Sequence, residues 1–364
     1  DTISPLLEYI DKNGVTKTPF LAYIHHNIPH LPYLVTSACE PTNGFNQKSE
    51  GYKASYQCAL KTIQEFMEKI NMLFSDKFST FAIKTRDAEI QGVHGGTGSP
   101  LLLIHGYPQT HVIWHKVAPL LAQHFHVICP DLRGYGDSSM PASSVDHATY
   151  SKRAMAEDMA ELMNQLGHDK FFVAGHDRGA RVTHRLALDY PHKILKACVM
   201  DIMPTRYMFD KTDQNFATGY YHWFFLIQPD GLPEKMIGAD PTYYLTEKLK
   251  RWSAPEMVFS AEVVAEYIRC FSRPEAIHAS CEDYRAAATI DLEHDAADEN
   301  KKIEAPLLVL WGLKGFINRT YKVLDIWSDY GACVTGKVLD CGHSLPEEAP
   351  NDVSKELLAF LRDS

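Results

Sequence analysis

Residues 170–191, KFFVAGHDRGARVTHRLALDYP, decide how this chain folds. Phe171 to Ala174 is a short apolar run closed by glycine, which predicts a buried strand, and Ala180 to Asp189 carries apolar residues at helical spacing. Between them, Gly175-His176-Asp177-Arg178-Gly179 leaves room only for a tight turn. A strand, a glycine-flanked turn and a helix form the pattern of a nucleophile elbow, whose strained central residue pushes its side chain into a pocket. The central residue here is Asp177. Serine at that place would attack a carbonyl. A carboxylate suits attack on a saturated carbon bearing a leaving group, such as a halide or an epoxide oxygen, and leaves an alkyl ester on the protein. Taken alone, an aspartate between strand and helix is more often an N-cap than a nucleophile.

Outward from the elbow, short apolar runs alternate with helical patterns from about Phe81 onward, which predicts an α/β protein with a mostly parallel sheet. The expected strands are Phe81–Ile83, Glu89–Val93, Leu101–Ile104, His126–Cys129, Phe171–Ala174, Ala197–Met200, Leu307–Trp311 and Val334–Leu339. Helices are expected near Ile113–Gln123, Lys152–Leu166, Gly179–Asp189, Lys322–Trp327 and Asn351–Leu361. Between Asp201 and about Lys302 the alternation stops, in a stretch of aromatics and short helical pieces such as NFATGYYHWFFLIQP. About a hundred residues inserted between two strands predict a helical cap over the carboxyl edge of the sheet, where open α/β sheets bind ligands.

The chain is thus expected to divide into an N-terminal extension over residues 1–75, a core made of 76–204 and 303–364, and a cap over 205–302. The extension contains PFLAYIHHNIPHLPY and a helical pattern from Tyr52 to Leu73. Its His25, His26 and His30 have no acidic partners at metal-site spacing, so no metal is expected there and the segment reads as a catalytically inert appendage.

With 364 residues, the chain suffices for a core of about 250 to 300 residues plus an extra segment. A hydrophobic content of 45% with 23% charged residues describes a folded globular protein. The formal charge of -10, with Lys and Arg nowhere gathered into a block, argues against nucleic-acid binding. Eight scattered cysteines without a CxxC pair, some in strand-like runs (Cys129, Cys198), read as buried reduced thiols in a reducing cytosol. No 18-residue apolar run and no signal-peptide pattern is visible, so neither a membrane partner nor secretion is expected.

Three further pieces join Asp177. Leu102-Leu103-Ile104-His105-Gly106-Tyr107-Pro108 ends a strand in a turn whose exposed backbone N–H, with that of Arg178, would form an oxyanion hole. Cys341-Gly342-His343-Ser344 lies between the last expected strand and the last helix, where a histidine can activate water if a carboxylate orients its other nitrogen. The loop after Leu307–Trp311, the commonest place for that carboxylate, reads Gly312-Leu313-Lys314-Gly315-Phe316 and holds no acid. Asp201, ending the preceding strand, is the available substitute.

The order elbow, acid, histidine, together with HGYP and the DLRGYGDS turn at Asp131–Ser138, resembles the α/β-hydrolase superfamily over roughly residues 80 to 364. Within it, GHDRGAR, DIMPT, the pair His222-Trp223, CEDYRA at Cys281–Ala286 and CGHS resemble the fluoroacetate (haloacetate) dehalogenases. The resemblance implies an eight-stranded, mostly parallel sheet with helices on both faces and a helical cap after the sixth strand. It also implies a cofactor-independent hydrolase without metal, acting on a small anionic haloacid as a homodimer. Arg178 and Arg181, where related enzymes for neutral substrates carry tryptophan at the first position, then offer two guanidinium forks for a carboxylate. His222, Trp223 and Tyr284 match the residues that receive the halide in that family. An epoxide hydrolase using the same triad with cap tyrosines Tyr220 and Tyr221 is the second expectation, and a non-catalytic ligand receptor on this fold the third.

Overall fold

The computed structural model describes residues 73–74, 77–257 and 259–362; His25, His26, His30, the expected helix from Tyr52 and the role of residues 1–75 lie outside them. The chain divides into two units, Asp1–Leu73 and Phe74–Ser364, a boundary two residues before the expected one. All eight expected strands are present: β1 Phe78–Lys84, β2 Glu89–Gly95, β3 Ser99–Ile104, β4 Phe125–Pro130, β5 Phe171–His176, β6 Ile194–Met200, β7 Leu307–Gly312 and β8 Val334–Leu339. They form one sheet in the order β1-β2-β4-β3-β5-β6-β7-β8. β2 runs antiparallel to both β1 and β4, and every later pairing is parallel.

The central strands are apolar along most of their length because helices cover both faces of the sheet. Leu101, Leu102, Leu103 and Ile104 of β3 are fully buried, each worth about 1.5–3 kcal/mol relative to exposure. β1 and β8 at the edges leave about half of their residues exposed. Core helices are α1 Ala118–Leu121, α2 Lys152–Gln165 and α3 Arg178–Asp189. The helix expected over Ile113–Gln123 is interrupted: a 3-10 turn, His111–Trp114, is capped by Thr110, and α1 starts afresh with Pro119 in its first turn. Proline has no N–H to give an earlier carbonyl and is tolerated only where a helix begins.

Between β6 and β7 the cap supplies α4 Thr205–Asp210, α5 Gln214–Gly219, α6 Tyr221–Leu226, α7 Leu232–Ala239, α8 Pro241–Trp252, α9 Ala261–Phe271, α10 Pro274–Ala288 and α11 Ile290–Ala297. After β7 come α12 Phe316–Thr320, α13 Val323–Trp327, α14 Leu345–Glu348 and α15 Pro350–Arg362. Strand β3 has its successor β4 on one side and β5 on the other. The loops leaving the carboxyl ends of β3 and β5 therefore diverge, opening the crevice that such sheets use for ligands. Of the cysteines expected to be buried, Cys129, Cys198, Cys270, Cys281 and Cys341 are, whereas Cys333 is an exposed free thiol. No helix among the described residues is long and apolar enough to cross a membrane.

Candidate active site

Asp177 joins β5 to α3 at φ 47° and ψ −115°, a backbone that costs a non-glycine residue about 1–3 kcal/mol. Its side chain caps nothing on α3; instead Oδ2 accepts the Tyr107 N–H at 3.0 Å. The capping alternative is therefore replaced by an elbow whose carboxylate already sits on one expected oxyanion-hole donor. The flanking glycines are required by contact: a Cβ on Gly175 would run into the Gly179 carbonyl oxygen, and one on Gly179 into the carbonyl of His105. Burial pushes the Asp177 carboxyl up, but His343, His176, Arg178 and Arg181 more than offset this and hold it below its ordinary range. The carboxyl is thereby held in its ionised form although it is buried.

His343 follows β8, and its Nδ1 donates to Asp201 Oδ2 at 2.7 Å, with both side chains buried. Asp201 leaves β6 at φ 54°, and its Oδ1 accepts the Gly312 N–H at the end of β7 at 2.9 Å. The end of β7, whose following loop holds no acid, thus locks Asp201, the substitute expected from the sequence. Burial lowers the His343 pKa, but the Asp201 hydrogen bond and the charges of Asp201, Asp177 and Glu348 raise it above 6.5. Glu348 holds the loop itself, accepting the N–H groups of Gly342 and Ser344 at 2.7 and 2.8 Å. His176, kept neutral by burial with a pKa of about 3, places Nε2 2.7 Å from the His343 carbonyl.

Arg178 and Arg181 are both buried, at 0% and 3% exposure, so neither faces solvent. Neither of the two expected guanidinium forks is wholly free. The Arg178 fork is closed on Asp283 of α10, with Nε to Oδ2 at 3.0 Å and Nη2 to Oδ1 at 2.5 Å. Arg181 Nη1 donates to the Met203 carbonyl and to Thr205 Oγ1. What remains is one buried, unpartnered N–H position on each, Nη1 of Arg178 and Nε of Arg181. A guanidinium holds a carboxylate with both arms of its fork only when that fork is free; here each arginine keeps a single unpartnered nitrogen.

His222, Trp223 and Tyr284 come together around these arginines. The His222 and Tyr284 rings lie 5.6 Å apart and those of Trp223 and Tyr284 6.3 Å apart. The Arg178 guanidinium sits 4.1 Å over the Tyr284 ring and that of Arg181 4.6 Å over Trp223. Burial drives His222 well below its usual pKa, with Lys248, His343, Arg178 and Arg181 adding to the effect. Its ring is a neutral hydrogen-bonding group. A cavity of about 250 Å³ reaches Asp177, His222 and His343, walled by Tyr220, Trp252 and Phe316. Arg178, Arg181, Trp223 and Tyr284 are not among its lining residues. Tyr220 faces it, whereas Tyr221 is 46% exposed.

Several participants carry no local sequence signal. Asp283, inside the quoted CEDYRA, also binds Lys152 of α2 and accepts the Tyr135 hydroxyl at 2.6 Å. Trp252 ends α8 between the His222 and His343 rings, 4.8 and 5.4 Å from them. An aspartate one residue before a site tyrosine on a buried helix was the only available hint of the first. A possible ligand cluster of Asp137, Glu266 and Cys270 is occupied by Arg269, which bridges both carboxylates.

Residues 99–350 match the family model described as the alpha/beta hydrolase fold. A fluoroacetate dehalogenase of Burkholderia sp is 43% identical over 288 residues, 79% of this chain and 95% of the relative. A soluble epoxide hydrolase of Corynebacterium sp. (strain C12) is 34% identical over 275 residues, 74% of this chain and 92% of the relative. Among solved structures, ALR0039 of Nostoc sp PCC 7120 is 57% identical with a TM-score of 0.78, covering 79% of this chain and 99% of that one.

Proposed function

This chain belongs to the fluoroacetate dehalogenase family of the α/β-hydrolase superfamily, and from that premise we propose that it cleaves the carbon–halogen bond of haloacetates, fluoroacetate foremost. The observation that carries the reading is the pair of unpartnered cationic N–H positions, Arg178 Nη1 and Arg181 Nε, on arginines whose charge bears on Asp177. They suit a substrate whose carboxylate adjoins its reacting carbon. A neutral epoxide has no use for them.

With the carboxylate held, Asp177 attacks the α-carbon from behind the halogen; a carbon–oxygen bond forms and the halide leaves with the bonding electrons. His222, Trp223 and Tyr284 receive it through donors that carry no negative charge. His343, oriented by Asp201, takes a proton from water, and the hydroxide adds to the ester carbonyl while the N–H groups of Tyr107 and Arg178 stabilise the oxyanion. Collapse expels hydroxyacetate, protonated by His343, and frees Asp177. Esterification removes the Asp177 charge, one of the influences raising the His343 pKa, so more of His343 is unprotonated when it must accept a proton.

Single turnover in water enriched in heavy oxygen, with fluoroacetate as substrate, tests this scheme. Label is expected on Asp177 and not in first-turnover hydroxyacetate; label directly in that product refutes the ester. Tyr220 lines the cavity and its hydroxyl makes no hydrogen bond among the described residues, which favours epoxide hydrolysis as a second reading. Fluoride from fluoroacetate, set against diol from styrene oxide, separates the two. A homodimer in the cytoplasm, without cofactor or metal, completes the proposal.

A further inference from the structure

The cavity that reaches Asp177 differs in charge from the rest of the chain. Lys and Arg number 36 against 46 Asp and Glu in the sequence. Among the described residues, however, Asp177 is the only acid lining this cavity, and Arg251, Lys314 and Arg319 line it as well. All three cations are exposed, whereas Asp177 is buried, so the cations stand at the mouth and the carboxylate at the floor. They come from stretches far apart in the chain: Arg251 from the end of α8, Lys314 from the loop after β7 and Arg319 from α12.

Two of the three are already paired. Arg251 Nε lies 3.2 Å from Glu247 Oε2, and Lys314 Nζ pairs with Glu256 and lies 3.3 Å from Asp340 Oδ1. An ion pair is nearly neutral to a molecule several ångströms away. The Arg319 guanidinium has no ion pair or hydrogen bond among the described residues, and an arginine stays charged at any working pH. An approaching anion meets a chain of formal charge -10 and an ionised Asp177 at the floor, both of which repel it. A cleft with low-dielectric walls focuses the field of a charge at its mouth and raises the local concentration of the opposite ion. Resting on the dehalogenase reading above, we propose that Arg319 is the capture residue for the anionic substrate: it draws a small carboxylate to the mouth before Arg178 and Arg181 engage it. A neutral molecule of the same size gains nothing from that charge, so Arg319 also selects carboxylates over epoxides.

Quenching of tryptophan fluorescence in the full-length protein tests this, with iodide as an anionic quencher and acrylamide as a neutral one. Trp252 lines the cavity and, with Trp311, is one of the two tryptophans that are not buried; its share of the signal is assigned with W252F. A unit charge felt through water at about 5 to 10 Å changes a local anion concentration about twofold to fourfold. At low ionic strength, iodide quenching of Trp252 should therefore fall about twofold to fourfold in R319M and about fourfold to sixteenfold in R319E, with acrylamide quenching unchanged. The kcat/KM for fluoroacetate should fall by the same factors with kcat unaltered, and both differences should close in about 1 M salt, where the Debye length is about 3 Å. Iodide quenching that is unchanged in R319E overturns the proposal, as does a kcat/KM that survives R319E at low salt. So does a change that acrylamide shares, since that is one of access and not of charge. In the wild type, iodide quenching of Trp252 relative to acrylamide should weaken as salt rises; a ratio flat or rising with salt overturns the proposal even if the variants do not fold. The quenching needs no turnover, so a wild type that releases no halide refutes the dehalogenase reading without deciding the role of Arg319.

Discussion

Replacing Asp283 by asparagine should disturb both stability and substrate binding. The carboxylate is fully buried and accepts Arg178 Nε and Nη2, the Tyr135 hydroxyl and Lys152, while its own backbone carbonyl takes Arg178 Nη2 at 2.9 Å. Charge is balanced there, two cations against Asp283 and the nearby Asp291. An asparagine keeps the volume but turns two N–H donors toward two cations, leaving one buried positive charge in excess. Breaking a buried pair from one side costs about 3–5 kcal/mol, and at about 2–4 °C per kcal/mol for a domain of this size the melting temperature should fall by roughly 10 °C. Asp283 holds the Arg178 guanidinium with Nη1 unpartnered; if that nitrogen takes the substrate carboxylate as proposed, the change should also raise KM for fluoroacetate about tenfold or more, the loss of one charge-assisted hydrogen bond. Thermal unfolding and steady-state fluoride release measure the two effects. Adding K152M removes the excess cation and should recover part of the stability but not the KM. A D283N protein that melts within a degree or two of wild type and keeps its KM refutes the argument.

Substituting His343 by asparagine should stop turnover after the first step, and mass spectrometry of protein mixed with fluoroacetate should find a carboxymethyl group on the peptide containing Asp177. Since His343 acts only when unprotonated and its pKa lies above 6.5, turnover should rise with pH through that value and be lost below it, whereas Asp177, held below the ordinary carboxylate range, stays ionised throughout. In D201N the largest influence raising the His343 pKa is gone, so the inflection of the residual rate should move to lower pH. Arg181→Met removes one of the two carboxylate donors and should lower kcat/KM for fluoroacetate about tenfold to a hundredfold, while leaving any epoxide turnover nearly unchanged.

Much of the fold was legible because its signals are local. β3, β5, β6 and β7 contain continuous apolar runs closed by histidine, glycine or aspartate, and each stands where its run predicts. The break before α1 was missed because the apolar spacing of residues 113–123 runs through Pro119 without interruption, and only the missing proline N–H ends the turn. Asp201 was found by elimination: the loop after β7 has no acid, and the structure then places Asp201 2.7 Å from a histidine 142 residues away. That Asp283 occupies the Arg178 fork was not legible, since nothing near GHDRGAR announces a partner over a hundred residues on.

The sequence by itself determined the elbow, the sheet and the types of group that can meet above it, because glycine spacing, strand length and residue chemistry act over a few neighbours. Tertiary structure alone decided which of those groups are already satisfied. Arg178 and Arg181 are reduced to one unpartnered nitrogen each, Tyr221 is turned outward while Tyr220 faces the cavity, and Lys248 and His222 each keep a buried nitrogen without a partner. The reason is that a buried polar group's role depends on its remaining unmet hydrogen bonds, and those are set by partners that the chain supplies from far along its length.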